Sequence, residues 1–334
     1  MTAQPVLRAG RDADAAGFIA LIGACWAEYP GNILDVDGEN PELRALATYY
    51  GRAGGALWAV EQHGTITAML ATKPLDHTTW ELCKVYSAPA LRGTGMAQHM
   101  IATAEAFARA HGASHMKLWS DTRFDRAHRF YEKQSYLRAG ALRVLNDLSN
   151  SIEFVYAKPL TGVVIQRLDA AAAHAAIPRL AEILRACVDA GASVSYLPPL
   201  QRDTATQFWA RSASAAAMDK RVILAGWVDG TLAGTVTLDL DMPPNQPHRA
   251  DVAKLLVHPS ARRRGLARLL MDRLETEART AGRHLLVLDT REGDAAEPLY
   301  RTLGWTEAGR IPSFALNNDG GYDATIFFWK RIDA

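Results

Sequence analysis

Two stretches decide the reading: Lys254–Ala267, KLLVHPSARRRGLA, and Lys84–Ala97, KVYSAPALRGTGMA, at an offset of 170 from Lys84 to Lys254. In each, Pro stands five residues after the Lys and opens the pattern P-x-x-R-x-x-G-x-A. An apolar strand leads through the Pro into an Arg/Gly turn, and the spacing then predicts a helix. Met96, Met100, Ala104, Phe107 and Ala108 make one stripe; Leu266, Leu269, Leu270, Leu274 and Ala278 make the other. The first backbone N–H groups of a helix lack intrahelical partners, and the macrodipole adds partial positive charge, so an anion placed there meets aimed donors. Gly93, Gly95 and Gly265 let the backbone approach such an anion, while Ala97 and Ala267 keep the next position small. Arg92 and the run Arg262, Arg263 and Arg264 add charge. With Thr94, Met96 and Leu266 these are the candidate pyrophosphate-binding residues. A plain strand-turn-helix with a solvated basic corner is the bland alternative, and its recurrence in matching contexts argues against it. Contact of the triple Arg with nucleic acid is a weaker reading, because neither interleaved aromatics nor a wider basic face accompanies it.

Working outward, the match continues on both sides. LWAVEQHGTITAMLA from Leu57 parallels LAGWVDGTLAGTVTL from Leu224, each reading as a β-hairpin. Downstream, helices are expected to end at Gly112 and Gly282. LWSDTR with Asp121 then faces LVLDTR with Asp289, FYEKQSYLRAG with Tyr131 faces LYRTLGWTEAG with Tyr300, and FVYA from Phe154 faces IFFW from Ile326. A duplicated unit with small loop insertions accounts for this drift. The Pro/Gly-bearing break at Lys158–Gly162 sets the expected boundary. Two domains follow, 1–160 and 161–334, each α/β with one mixed central sheet flanked by helices.

Composition narrows the function. The 334 residues are 49% hydrophobic and 22% charged, with net charge +1, so no global field draws the chain to nucleic acid or an anionic membrane. Cys25, Cys83 and Cys187 are three, far apart and without a C-x-x-C pair, which argues against a disulfide framework and a zinc site and suits a reducing, cytoplasmic setting. The opening MTAQPVLRAGRDADAAGF lacks the basic-then-apolar pattern of a secretory leader, and no apolar run is long enough to span a membrane. H-E-x-x-H, P-loop and G-x-S-x-G motifs do not occur.

At this point the chain resembles the GNAT superfamily of N-acyltransferases. The carriers are Arg92–Ala97 and Arg262–Ala267, which fit [Q/R]-x-x-G-x-[G/A] at a helix start, and Ala127–Tyr131 and Ala296–Tyr300, which fit the front of A-x-x-[F/L]-Y-x-x-x-G-[F/W]. The second domain further resembles the tabtoxin-resistance acetyltransferases, over GASVSYL from Gly191, HRADVAKLLVHPSARRRGLARLLMD from His248, LLVLDTREGDAAEPLYRTLGW from Leu285 and GRIPSFA from Gly309. Three departures stand out. Ser135 replaces the Gly that Gly304 keeps, Phe124 and Gly293 stand where the superfamily often has Asn seven residues before the Tyr, and Asp251 stands where relatives of the second domain carry Glu.

The resemblance implies acetyl-CoA as co-substrate and direct attack of an amine on its thioester. An amine of pKa ~10.4 is only about 1 part in 2,500 neutral at pH 7, a gap of roughly 4.6 kcal/mol. A carboxylate or water chain must take its proton. Glu81 and Asp251, each three residues before a Lys, and Asp121 and Asp289, at the end of the next strand, are the candidate bases. Period-2 alternation puts Glu81 and Asp251 on the strand face opposite Lys84 and Lys254. Tyr131 or Tyr300 would protonate the leaving thiolate, and backbone N–H groups near Tyr86 and Ser87, or Leu256 and Val257, would polarise the thioester carbonyl. Each tyrosine also reads as a buried helix-face residue, each D-T-R aspartate as a turn cap, and Glu81 and Asp251 as solvated strand positions.

Acceptor clues are two. The loop EYPGNILDVDGENPE from Glu28 carries Glu28, Asp35, Asp37, Glu39 and Glu42, which would favour a cationic amine if they line the site and mean nothing if they are merely solvated. Ala192–Tyr196 suits a small polar amine. The expected partner is a small-molecule amine such as an amino acid, toxin or antibiotic, with neither nucleic acid nor membrane, and the chain is expected as a monomer with its halves as a pseudo-dimer, or as a homodimer. Alternatives are one catalytic half beside a degenerate acyl-CoA-binding or structural half, and a biosynthetic acyltransferase resembling mycothiol synthase.

Overall fold

The hairpins form as their turn residues dictate. His63 and Gly64 have φ of 52° and 75°, and Asp229 and Gly230 have φ of 47° and 82°. Two successive left-handed residues give the turn whose twist matches paired strands. The structure is a computed structural model that describes residues 5–332. It divides into two compact units between Thr161 and Gly162.

The first unit runs β1 (Val6–Ala9), α1 (Ala15–Trp26), α2 (Leu46–Arg52), β2 (Ala56–Gln62), β3 (Thr65–Pro74), β4 (Thr79–Ser87), α3 (Met96–Ala110), β5 (His115–Asp121), α4 (Asp125–Lys133), β6 (Leu137–Arg138), β7 (Arg143–Val144) and β8 (Ile152–Pro159). The second runs β9 (Val163–Arg167), α5 (Ala170–Asp189), α6 (Arg202–Ala217), β10 (Arg221–Val228), β11 (Thr231–Asp239), β12 (Arg249–Val257), α7 (Leu266–Thr280), β13 (Leu285–Arg291), α8 (Glu297–Thr302), β14 (Thr306–Leu316) and β15 (Tyr322–Arg331). Sheet order is β1-β2-β3-β4-β5-β8-β6, with β7 also on β8, and β14-β15-β13-β12-β11-β10-β9. Every pairing is antiparallel except β4 with β5 and β12 with β13.

Each sheet is covered on both faces. In the first unit Leu70, Trp80, Leu82, Met116 and Leu118 pack with α3 residues Met100, Ile101 and Ala104. The opposite face packs Ala59, Met69 and Ala71 against Phe18 and Ile22 of α1 and Leu46 of α2. In the second unit Leu238, Ala250, Val252, Leu286 and Leu288 alternate inward against Leu270 and Leu274 of α7. The helices α3 and α7 stop before Gly112 and Gly282, whose φ values are 90° and 68°.

Strand alternation fails at one expected place, and the failure repeats. Lys84 and Lys254 take left-handed φ of 50° and 53°. Opposite them the register shifts between Met69 and Ala71 on β3, and between Thr235 and Thr237 on β11. Two residues of β4 or β12 therefore oppose one of the neighbour, which is a β-bulge. The bulge corrects the face assignment. Lys84 Nζ reaches Glu42 at 3.2 Å, and Lys254 Nζ lies 5.3 Å from the Phe208 ring centroid, so both lysines lie on the same sheet face as Glu81 and Asp251.

Candidate active site

The two parallel ladders are short. β4 meets β5 only at Thr79–Glu81 against His115–Lys117, and β12 meets β13 only at Arg249–Asp251 against Leu285–Val287. Beyond the bulge the strands part, and the backbone from Tyr86 to Ser87 and from Leu256 to Val257 runs along the opening. A bulge bends its strand and raises local twist, which is how a continuous sheet opens a cleft without losing its core.

At the end of each opened strand stands the Arg/Gly turn. Gly95 and Gly265 are the N-caps of α3 and α7, with φ of 88° and 78°. Gly93 (φ 77°) and Arg263 (φ 62°) repeat the left-handed conformation two residues earlier. Alternating left-handed residues turn successive N–H groups toward one concavity, an anion-binding nest. A Cβ on Gly93 or Gly265 would meet no atom within 4 Å, so the space over the turn is open.

In the first unit these parts converge on one cavity of about 430 Å³. Its walls include Gly93, Gly95 and Ala97 from the turn, Tyr86 and Ser87 from β4, and Tyr131 from α4. Its cations are Arg92 and, along α4, Arg126, Arg129 and Lys133. Sequence reasoning passed over these three, although their spacing of three and four places them on one helix face. Glu28 crosses the mouth, ion-paired to Arg92 and accepting from Arg126 Nη1 at 2.8 Å. Phe124, at the position that departs from the superfamily pattern, lines the cavity and packs on Tyr29 with centroids 4.8 Å apart. Tyr86 OH accepts from Trp26 Nε1 at 3.0 Å. The concavity, its cations and its apolar floor fit a long phosphorylated cofactor arm.

Tyr131 and Tyr300 are each only 6% exposed. Burial raises both phenols well above their ordinary range, so each keeps its proton at neutral pH. Tyr131 packs against Tyr136 and Tyr156, and Tyr300 against Trp305 and Phe328. Ser135 takes φ 67° where Gly304 takes 80°, so the departure keeps the left-handed turn.

The carboxylates differ between the units. On β11, β12 and β13, Asp239 is the register partner of Asp251, Asp251 that of Val287, and Asp289 follows two residues on. All three therefore point to one face, the face away from the α7 core. Arg221 holds Asp239 at 2.5 Å, and Arg249 pairs with Asp251. Burial nevertheless raises the Asp251 carboxyl above its ordinary value. Asp289 is exposed, and Thr325 Oγ1 stands 3.0 Å from both its Oδ2 and the Thr290 carbonyl, so one proton is shared between two acceptors. Arg291, two residues on, turns to Asp294 at 3.5 Å and Asp323 at 3.7 Å.

The first unit answers with pairs. Glu81 faces Lys73 across the ladder, with Nζ 3.5 Å from its carboxylate. Asp121 accepts from the Arg123 backbone N–H at 2.8 Å and from Arg123 Nε and Nη2 at 2.8 and 2.5 Å. Burial pushes its carboxyl up, but the Arg123 bonds outweigh that and hold it below the ordinary value. Arg123 also donates to Ser149 O and Ser151 Oγ, so the turn ties β5 to the loop before β8. Acids of the Glu28–Glu42 loop are likewise committed. Asp37 pairs with Arg44, Glu39 accepts from Leu148 N–H, and Glu42 takes Lys84, while Asp35 caps its own turn. Among the described residues no cluster of three His, Cys, Asp or Glu could hold a metal ion, and no helix is long and apolar enough to cross a membrane.

This twofold geometry has a name. The chain belongs to the acetyltransferase (GNAT) family, whose model matches residues 22–136 and again 180–305. It is 31% identical over 158 residues, 46% of this chain and 92% of the relative, to an uncharacterised N-acetyltransferase of the hisH–hisA intergenic region of Azospirillum brasilense. Similar solved structures include an acetyltransferase of Salmonella typhimurium determined with acetyl-CoA, 21% identical with TM-score 0.45 over 52% of this chain and 95% of that one. Another is a GNAT acetyltransferase of Streptococcus pneumoniae, 20% identical with TM-score 0.42 over 51% of this chain and 99% of that one.

Proposed function

We propose that residues 1–160 and 161–334 are separate acetyltransferase units, that each holds acetyl-CoA on its Arg/Gly turn, and that the second unit is the better equipped to acetylate a small-molecule amine. In that unit Arg262–Ala267 hold the pyrophosphate, and the amides near Leu256 and Val257 polarise the thioester carbonyl. Asp289, with Asp251 beside it, takes the ammonium proton, directly or through water. Tyr300 donates a hydrogen bond, and then its proton, to the departing sulfur. Arg92–Ala97, Tyr86, Ser87, Glu81, Asp121 and Tyr131 are the matching parts of the first unit.

One observation carries the preference for the second unit. Asp289 shares a single hydroxyl proton, whereas Asp121 is chelated by Arg123. A carboxylate whose lone pairs are already filled by a guanidinium has little basicity left for substrate. The same pairing favours a second reading, in which the first unit binds the cofactor and turns over slowly or not at all. The acceptor fits a small polar amine, consistent with the resemblance of the second unit to tabtoxin-resistance acetyltransferases. A cytoplasmic monomer or homodimer suits a chain whose three cysteines, Cys25, Cys83 and Cys187, are all free.

The test is coenzyme A thiol release over an amine panel with Asp289→Asn, Asp121→Asn, Tyr300→Phe and Tyr131→Phe in the full chain. Asp289→Asn and Tyr300→Phe are expected to lower kcat by roughly 10²–10³-fold, the ordinary worth of a positioned acid or base. Asp121→Asn and Tyr131→Phe should change it by less than about threefold on the same scale. The opposite ranking would place the chemistry in the first unit.

A further inference from the structure

Lys254 is a cation without a counter-charge. It stands at the β12 bulge, and its Nζ lies 5.3 Å from the Phe208 ring centroid and 6.0 Å from that of Tyr196. No carboxylate lies within ion-pair distance of it among the described residues. Its counterpart Lys84 meets Glu42 at 3.2 Å. The charged groups whose fields reach Lys254 are Arg221, which repels it, and Asp289, which attracts it. Burial dominates over both and lowers its pKa. An ammonium taken out of water needs an anion close by, and two aromatic faces repay only part of that cost.

We propose that the acceptor of the second unit carries a carboxylate as well as its amine, and that Lys254, walled by Tyr196 and Phe208, binds that carboxylate while Asp289 faces the amine. The inference rests on the acetyl-transfer reading above and names the substrate class within it: a zwitterionic, amino-acid-like amine. Three acids on the sheet face stand against Arg221, Arg249 and Lys254. Arg221 and Arg249 are already paired to Asp239 and Asp251. That leaves one positive and one negative group, Lys254 and Asp289, for a substrate bearing the complementary two. Ser195 stands beside Tyr196 in a left-handed conformation of φ 71°, in the connection between α5 and α6, while Phe208 comes from α6 itself.

The experiment compares each of a set of amino acids with its carboxamide as acceptor, using the full chain as wild type, Lys254→Met and Lys254→Arg. Thiol release gives KM and kcat. Thermal-shift titration with the same pairs in the presence of coenzyme A reads binding without turnover. Wild type is expected to prefer at least one acid over its amide. Lys254→Met should raise KM for that acid by roughly 10–100-fold, the worth of a charge-assisted contact, with kcat and the amide's KM little changed. Lys254→Arg should restore most of the preference. Acid and amide treated alike by wild type in both assays, or an equal loss for both in Lys254→Met, overturns the inference and leaves acetyl transfer standing. Failure of every amine together with failure to bind acetyl-CoA removes the acetyl-transfer reading and this inference with it.

Discussion

Asp121 and Asp289 open the same tripeptide, D-T-R, and end with opposite chemistry. In the first unit the Arg folds back on its own Asp, held there by Ser149 and Ser151. In the second, Asp294 and Asp323 draw the Arg away. Because the Asp121 carboxyl has a depressed pKa, its pair adds stability that is present above the ordinary carboxylate pKa of about 3.9 and is lost as pH falls through the lower native value. Asp121→Ala is therefore expected to destabilise the chain by about 2 kcal/mol at pH 7, toward the low end for a half-buried pair because Arg123 is 29% exposed. The difference from wild type should shrink between pH 5 and pH 2; denaturant unfolding across that range checks it, and a difference that grows toward acid would contradict the pairing. The tripeptide was legible in the sequence as a turn and as a candidate base. Which Arg pairs with which acid was not, because Ser149, Ser151 and Asp323, which help to decide it, lie 26 to 32 residues along the chain from the Arg they hold.

At the scale of elements, the Arg/Gly turn of the second unit depends on how closely its helix sits on the sheet. Leu266, the first residue of α7, lies over two strand glycines. A Cβ on Gly226 would stand 2.6 Å from Leu266 Cδ1, and one on Gly234 would stand 2.8 Å from Leu266 Cδ2 and 3.0 Å from the Leu256 carbonyl. Gly234→Ala should thus cost about 1–3 kcal/mol by overpacking and tilt the start of α7. A lower midpoint in denaturant, with weaker acetyl-CoA binding at the second turn, is the expected result; an unchanged midpoint would show that the helix seat is loose. The helix and its turn were readable from apolar spacing and the Arg/Gly pattern. The bulges were not, since Lys84 and Lys254 carry no bulge-forming signature such as Gly, and alternation reads straight through them. Nor was β14, whose sequence TEAGRIPSFAL mixes Gly and Pro into a strand that bulges twice against β15.

For the whole molecule, the duplication was legible because the same apolar and turn positions recur at offsets of 166 to 172 between paired residues, from Gly64 and Gly230 to Phe154 and Ile326. The divergence of the halves is finer. Arg126, Arg129 and Lys133 line the first cavity, while the second unit carries the run Arg262–Arg264 in its turn and pairs neither Asp289 nor Lys254 in an ion pair among the described residues. Both halves nevertheless retain the left-handed Gly cap at a helix mouth, Gly95 and Gly265, where any side chain would be strained. Calorimetric titration of the full chain with acetyl-CoA, beside Gly95→Val and Gly265→Val, tests that shared device most directly. Two equivalents bound by wild type and one by each variant are expected; binding that survives both substitutions at full stoichiometry, or no binding by wild type, would contradict it.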